Sequence, residues 1–594
     1  MIALLGVGCE GRSGSVVKPR ARDPLTGPAV YEIDLARGVG EQASAGLFGP
    51  APGGSHADLV QVLTTVGDDA DRKGVFVRLG GASLPLARAE EIGRLLAQLR
   101  SRGMPVVCHA DALGHGSLLL SARGCSEIWL SPAGGVESVG LAAQLVFAKG
   151  LLDKLGVGVD FLQVGKYKGA SEPYTREGPS PEARESLEGT LRDLRRAWID
   201  GIEAGRGREL AAALEDGPHT PQAAKELGLV DAVGYVDEAL ESAKKASDAK
   251  RIERGFGGKL RPSGGLAEIL RALSGASAGG GHVAVVRAVG PITMRPSGGL
   301  FGGGEGITES GLGRIVRDLR DDDDVRAVVL RIDSPGGSAL ASDLLWHELM
   351  RLREDKPLVV SVGGMAASGG YYLACAGNKI YAEPSSIVGS IGVVGGKFAV
   401  GEPLAQLGVQ TVTIAANPDP LRAARSTYMS PFDRWDEATR AKVQASMTGI
   451  YDTFLLRIVE GRGLDRAIVE RSAEGRIFGG ASAKERQLVD ELGGLDEATR
   501  HALELSGLGA DGEVRLVESG GGLSELFGGG EAGGGEGSAE AATLAGRALG
   551  VDALGRLALG QLIGEETRTW LESLAPMLQG EAVVASTPFG VWLR

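Results

Sequence analysis

A chain of 594 residues exceeds what one hydrophobic core sustains, so at least two domains are expected. With 43% hydrophobic and 23% charged residues the composition is that of a globular protein, and no run of about 18 apolar residues marks a membrane-spanning helix. The net charge of -13 comes with Lys and Arg scattered along the chain, which argues against a nucleic-acid face.

In chain order, the first feature is the short apolar run MIALLGVGC, ending in Cys9. It is similar to the end of a bacterial lipoprotein signal with Cys9 as the acylated residue, yet a basic n-region is missing and the apolar stretch is short. A start codon assigned too late would account for this; an N-terminus without a role is the alternative. The remaining cysteines, Cys108, Cys125 and Cys375, show no CxxC or Cys/His spacing, so neither a disulfide framework nor a zinc site is expected.

The chain then repeats itself. Pairing Pro105 with Pro357 aligns PVVCHADALGHGSLLLSARGCSEIWLSP with PLVVSVGGMAASGGYYLACAGNKIYAEP without a gap, at an offset of 252. Upstream, GVFVRL matches AVVLRI, pairing Arg78 with Arg331; downstream, AKELGLVDAVGYVDEA from Ala224 matches AKERQLVDELGGLDEA from Ala483. Each copy reads as strand, turn, helix, strand, turn, helix. In the second, RAVVLRID is a continuous apolar run suited to a strand buried on both faces. SALASDLLWHELMRLRED follows as a helix with Ala341, Leu344, Leu345, Leu349 and Leu352 on one stripe, then KPLVVSV as a strand and SGGYYLACAG as a helix. This alternation predicts parallel α/β units with right-handed crossovers. Glycine, at 95 residues over twice its usual share of about 7%, clusters in SAGGGH, PSGGLFGGGEG and FGGGEAGGGEG, which read as linkers or loops.

Sites in parallel α/β units form where strands end and helices begin. Two such ends of the second copy are unusual: Ser334 to Ser338, SPGGS, and Ser368 within GGMAASGG. Paired glycines let backbone amides approach a ligand, and a hydroxyl flanked by two sources of backbone N–H is what acyl transfer requires. The other reading of Ser368 is a helix cap beside tight turns. A base is needed, and none of the seven histidines, His56, His109, His115, His219, His282, His347 and His501, stands where a triad would place it. His347 falls on the helix face opposite the leucine stripe, and His282 in the linker. Lysine is the other choice. VGKYKGASEP in the first copy offers Lys166 and Lys168, of which a base must be buried enough to lower a pKa near 10.4 by units.

Taken together, RIDSPGGS, GGMAASGGYYLACAGNKIYAEPSSIVGSIGVV, VGKYKGASEP and AKERQLVDELGG resemble the signal peptide peptidase A family of serine peptidases in its long, duplicated form, over roughly Ala29 to Leu505. The resemblance implies tandem ClpP/crotonase-like α/β domains and a Ser-Lys peptidase that cuts residual signal peptides and other apolar or unfolded peptides in or beside the membrane, without metal or nucleotide. It implies Ser368 as nucleophile, Lys168 as general base, Ser390 as the hydroxyl orienting the lysine, and the backbone N–H groups of Gly337 and Gly369 as the oxyanion hole. It further implies a homotetramer at the bacterial cell envelope, membrane-associated or periplasmic, with a cytoplasmic location as the alternative. Gly169, where the family commonly has a small hydroxyl residue, and the missing N-terminal anchor depart from the pattern.

The duplication bears on this assignment. Ser368 aligns with Gly116, beside Ser117; the counterpart of SPGG falls in Gly81 to Pro85, GASLP, without paired glycines; Lys168 aligns with Pro420. One complete set is therefore divided between the copies, which favours an active enzyme over a decayed scaffold. The expected domains are 1–28, an N-terminal segment; 29–281, the first repeat with the lysine; 282–505, the second with the serine; and 506–594, a glycine-rich linker and helical tail. That tail carries the apolar stretch ALGRLALGQLIGEETRTWLESLAPML and is expected to pack on the domain, with membrane-surface or subunit contact as the second choice. The rival functions are a crotonase-type acyl-CoA enzyme and a non-catalytic assembly scaffold.

Overall fold

The computed structural model describes residues 27–42, 45–46, 49–50, 54–257, 281–294, 306–517, 583–585 and 592–593. Two α/β units follow one another. The first is built on a six-stranded, all-parallel sheet in the order Arg251–Arg254, Ala29–Asp34, Arg72–Gly80, Val106–Ala110, Glu127–Leu130, Ala232–Val233. The second repeats that order with Glu513–Val517, His282–Val289, Val325–Ser334, Leu358–Ala367 and Lys379–Ala382, again parallel, and Leu358–Ala367 runs on to pair with Ile387–Gly389. Strands such as Val106–Ala110 are buried at every residue, which is why they read as unbroken apolar runs rather than as alternation.

Corresponding helices share their stop signals. Pro181–Arg206 and Glu437–Arg462 are 26 residues each, and both end at a left-handed glycine, Gly207 and Gly463. The units stack through helices Leu86–Ser101 of the first and Leu495–Ser506 of the second. Leu95 and Leu96 share one apolar cluster with Val285, Val329, Val359 and Leu495.

A third sheet ties the repeats together, in the order Ile307–Thr308, Ile292–Thr293, Gly337–Ser338, Val583–Ala585, Val393–Ala399, Gly158–Val164. Its last two strands come from different repeats and pair antiparallel over seven residues, from Val393 opposite Val164 to Ala399 opposite Gly158. This ladder carries the first repeat's VGKYKG loop to the second repeat.

Four expectations change. Cys108 and Cys125 form a disulfide, with Cα atoms 6.0 Å apart. The helix His115–Gly124 returns the chain to the start of the strand it left, so residues 17 apart in sequence become neighbours, which no CxxC spacing announces. Leu344 is exposed while Trp346 takes the inner face of the helix Ala339–Asp355. His282 is the first, buried residue of a strand rather than part of a linker. Glu513–Val517, assigned to the linker and tail from sequence, is the edge strand of the second sheet. Cys9 and the apolar stretch at 553–578 lie outside the described residues.

Candidate active site

The strand Leu358–Ala367 ends at Ser368, whose backbone takes φ 56° and ψ -114° before the helix Gly369–Ala374 begins. A non-glycine residue at positive φ costs on the order of 1–3 kcal/mol and persists only where its surroundings enforce it. Here Ser368 N–H donates to Gly389 O (2.8 Å) and Tyr372 N–H to Ser368 O (2.9 Å). The next residue must be glycine, because a Cβ on Gly369 would stand 2.6 Å from Ser342 Oγ. The Ser368 side chain makes no capping bond to its helix. The cap reading therefore fails, and the hydroxyl points elsewhere.

It points to Lys168. The strand Gly158–Val164 turns at Gly165, and Lys168 enters the interior with no exposed surface, its Nζ 2.7 Å from Ser368 Oγ, 2.7 Å from Ser390 O and 2.9 Å from Ser390 Oγ. Burial pushes the amine well below the ordinary lysine range, and among the described residues no carboxylate pairs with it to oppose that shift. A neutral amine has two N–H groups and one lone pair. Two oxygens of Ser390 can take the N–H groups, which leaves the lone pair facing the Ser368 hydroxyl. Lys166, two residues earlier, is 55% exposed and ion-paired to Glu474 at 3.6 Å.

Gly337 lies at the third corner. The strand Val325–Ser334 ends at Ser334, whose Oγ donates to Gly290 O (2.7 Å) and accepts from Gly336 N–H (3.2 Å). A Cβ on Gly337 would sit 2.1 Å from Ile292 O, so the loop closes only with glycine there. The loop also reaches the serine turn, since a Cβ on Gly369 would be 3.2 Å from Gly336 Cα. The five residues singled out in the sequence thus converge from three elements of the second repeat and one of the first. Gly169, the departure from the family pattern, opens a short 3-10 turn and is buried.

One part of the site escaped the sequence reading: the turn Glu474–Gly475–Arg476. Tyr167 N–H donates to Glu474 O (2.8 Å), Gly475 N–H to Ile391 O (2.7 Å) and Ser390 N–H to Arg476 O (2.5 Å). The turn thus grips the segments that carry both Lys168 and Ser390. A Cβ on Gly475 would lie 2.5 Å from Lys168 N, and the Arg476 guanidinium stacks 3.8 Å from the Tyr167 ring centroid. Only the isolated glycine in AEGRIF hinted at it.

Comparison with known proteins adds an independent line. Residues 98–250 and 350–509 match Peptidase family S49. The chain is 32% identical over 467 residues to "Protease 4" of Salmonella typhi, covering 76% of this chain and 72% of that protein. It is 29% identical over 476 residues to "Protease 4" of Haemophilus influenzae, covering 75% and 72%. It is also 29% identical over 449 residues to "Serine protease SPPA, chloroplastic" of Arabidopsis thaliana, where it spans 75% of this chain and 65% of the plant protein's length.

Proposed function

The chain belongs to Peptidase family S49, a serine peptidase family, and on that premise we propose that it is a serine endopeptidase whose Ser-Lys dyad, Ser368 with Lys168, cleaves apolar or unfolded peptides, residual signal peptides among them. The observation that carries the reading is a fully buried lysine amine without a carboxylate partner, 2.7 Å from a serine hydroxyl that caps nothing. A scaffold has no use for a buried unpaired lysine, and neither does an acyl-CoA site.

In the cycle, neutral Lys168 accepts the Ser368 proton as Oγ attacks the substrate carbonyl carbon. The N–H groups of Gly337 and Gly369 hold the oxyanion, each such donor contributing about 10²–10³ in rate. The ammonium then protonates the departing amine, and water activated by the same lysine releases the acyl group. Ser390 keeps the lysine aimed throughout. A peptide reaches Ser368 as an added strand, which reads main chain first and side chains second.

The protein works as a homotetramer at the bacterial cell envelope, in contact with the membrane surface. Val412 and Ile414 in the second repeat and Val146 and Leu151 in the first are 83%, 93%, 74% and 60% exposed, apolar side chains that self-association would cover. Among the described residues no helix is long and apolar enough to cross a membrane. A monomer in light scattering would refute the assembly.

The test is hydrolysis of a fluorogenic apolar peptide and of unfolded casein. Ser368→Ala and Lys168→Ala are expected to lose at least about 10⁴-fold in kcat/KM, and Lys166→Ala to keep near-normal activity. Activity surviving in both dyad variants overturns the reading. Because the amine must be neutral, kcat/KM should fall as pH drops through the depressed Lys168 value and level off above it. Stability follows the same sign. Between that depressed value and about 10.4 the unfolded chain binds a proton that the folded chain does not, so stability rises with pH in this window. Lys168→Met should flatten that rise in thermal melts.

A further inference from the structure

Gly363 and Gly364, the first glycine pair of GGMAASGG, take no part in the dyad or the oxyanion hole, and neither does Asp333 of RIDSPGGS. They meet where the two strands that lead into the site part from each other. Strands Val325–Ser334 and Leu358–Ala367 pair residue for residue from Val328 opposite Leu358 to Ile332 opposite Val362, and then the register slips, so that Ser334 stands opposite Ala366. One residue, Asp333, faces three, Gly363 to Met365. Bulges of this kind re-aim the chain beside active sites. Here the Asp333 carboxylate fills the bulge, and Met365 N–H donates to its Oδ1 at 3.1 Å. A Cβ on Gly363 would stand 3.2 Å from Asp333 Cβ, and one on Gly364 3.3 Å from Oδ1. Both are tighter than side chains normally pack, so the carboxylate has its room because the two positions are glycine.

The bond from Met365 to Asp333 joins the two turns at matching points. Gly337 comes four residues after Asp333, and Gly369 four residues after Met365, so each oxyanion donor hangs on a short arm from the same hydrogen bond. Asp333 is fixed from two further sides. Its carbonyl accepts from Gly290 N–H (2.9 Å), and its Oδ2 lies 3.6 Å from Arg88 Nη2. Arg88 belongs to the helix Leu86–Ser101 of the first repeat, where its Nη1 donates to Val39 O (2.8 Å) and its Nη2 lies 3.4 Å from Glu41 Oε1. At the place aligned with Asp333 the first repeat has Gly80, and the same junction closes through backbone, with Asp111 N–H donating to Gly80 O at 2.7 Å. The carboxylate accompanies the nucleophile.

Building on the peptidase reading, we propose that Asp333 is a positioning residue for the oxyanion hole, setting the distance between the N–H groups of Gly337 and Gly369, with Arg88 of the first repeat as its anchor. The two donors sit on separate turns, and a hole made from two turns stabilises charge only if their spacing matches one oxygen. A shift on the order of 1 Å costs about 10²-fold in rate. Asp333 acts through the backbone: it holds Met365, and with it the last residues before Ser368, against the start of the SPGG loop. The first repeat then contributes to the reaction twice, once through Lys168 and once through Arg88.

Steady-state kinetics of the full chain on the fluorogenic peptide, combined with inhibition by a peptide aldehyde of the same sequence, test this role. The aldehyde adds to Ser368 and places a tetrahedral oxygen in the hole, so its affinity reports on the hole where KM does not. Asp333→Ala loses both the acceptor and the ion pair and should lower kcat about 10²-fold at nearly unchanged KM, with aldehyde affinity falling by a similar factor. Asp333→Asn keeps the acceptor and loses the ion pair, as Arg88→Met does from the other side, and both should stay within about tenfold of wild type. Gly364→Ala crowds Oδ1 from the opposite strand. It should lower kcat and aldehyde affinity together, and it decides the outcome if Asp333→Ala fails to fold. A fall in kcat at unchanged aldehyde affinity marks a smaller fraction of folded enzyme and overturns the positioning role. An Asn variant as impaired as the Ala variant overturns it too. An active wild type with unaffected variants overturns the role of Asp333 and leaves the peptidase reading intact, whereas a wild type inert on both peptide and casein overturns that reading and this role with it.

Discussion

The two repeats share a frame and differ where it matters. In the second, the strand-to-helix turn carries Ser368 with an open loop of glycines beside it. In the first, the aligned residue is Gly116, and a Cβ there would lie 2.0 Å from Leu84 O, so the loop after the first repeat's strand closes over the place a nucleophile would need. Ser117, its neighbour, spends its hydroxyl on the helix start, accepting from Gly114 N–H at 2.9 Å. The same exchange of chemistry for structure appears one turn away. Cys108 and Cys125 are cross-linked in the first repeat, and their aligned partners in the second are Val360 and Gly377, where a Cβ on Gly377 would be 2.7 Å from Val360 Cγ2. The contact is conserved in space while its chemistry is not. Duplication thus let one copy become a braced support that contributes a lysine, while the other kept the strained turn.

The aligned arginines show the same division. Arg78 is 43% exposed and reaches Asp34 at 3.4 Å. Arg331 is buried and binds Glu41 and Glu91 of the first repeat, each at 2.9 Å. Burial opposes ionisation of those carboxyls, but the guanidinium outweighs it and holds both below the usual carboxylate range. One arginine decorates a surface; its counterpart locks the repeats together.

The sharpest way to break this comparison is to try reviving the first copy. Gly116→Ser in a Ser368→Ala background should restore none of the roughly 10⁴-fold loss, since no Lys168 faces that turn and Leu84 occupies its space. Any rescue above the single variant, in the same peptide assay, would mean the copies are not specialised. Next in size, Arg331→Met should destabilise by about 3–5 kcal/mol in denaturant melts by taking the shared guanidinium from two buried carboxylates, which leaves Glu91 with His56 at 2.8 Å and Glu41 with Arg88 at 3.4 Å, whereas Arg78→Met should stay within about 1 kcal/mol. Equal losses would erase the distinction. Smaller again, Gly475→Ala should cost about 10²-fold in kcat by displacing the Lys168 backbone, with the acid limb of the pH profile moved. A loss of activity matched by a loss of folded protein, with the pH profile unmoved, would reduce that turn to a structural part.

Much of this was legible in the chain. The 252-residue offset exposed the duplication, and apolar runs alternating with helical stripes gave parallel α/β units, because burial on both faces of a sheet leaves that imprint. The division of Ser368, Lys168, Ser390, Gly337 and Gly369 between copies could also be written down from alignment and resemblance. Local patterns could not reveal the disulfide, the Glu474–Arg476 turn or the seat of Val583–Ala585.

What the sequence determined by itself, then, was which residues could act and how each strand and helix would form, for those properties depend on neighbours within a few positions. What only tertiary structure decided was whether a lysine 200 residues from its serine would be buried, neutral and within 2.7 Å. That outcome rests on a seven-residue ladder between two repeats and on desolvation at its end. Both are properties of the packed assembly of elements, and no window of the chain contains them.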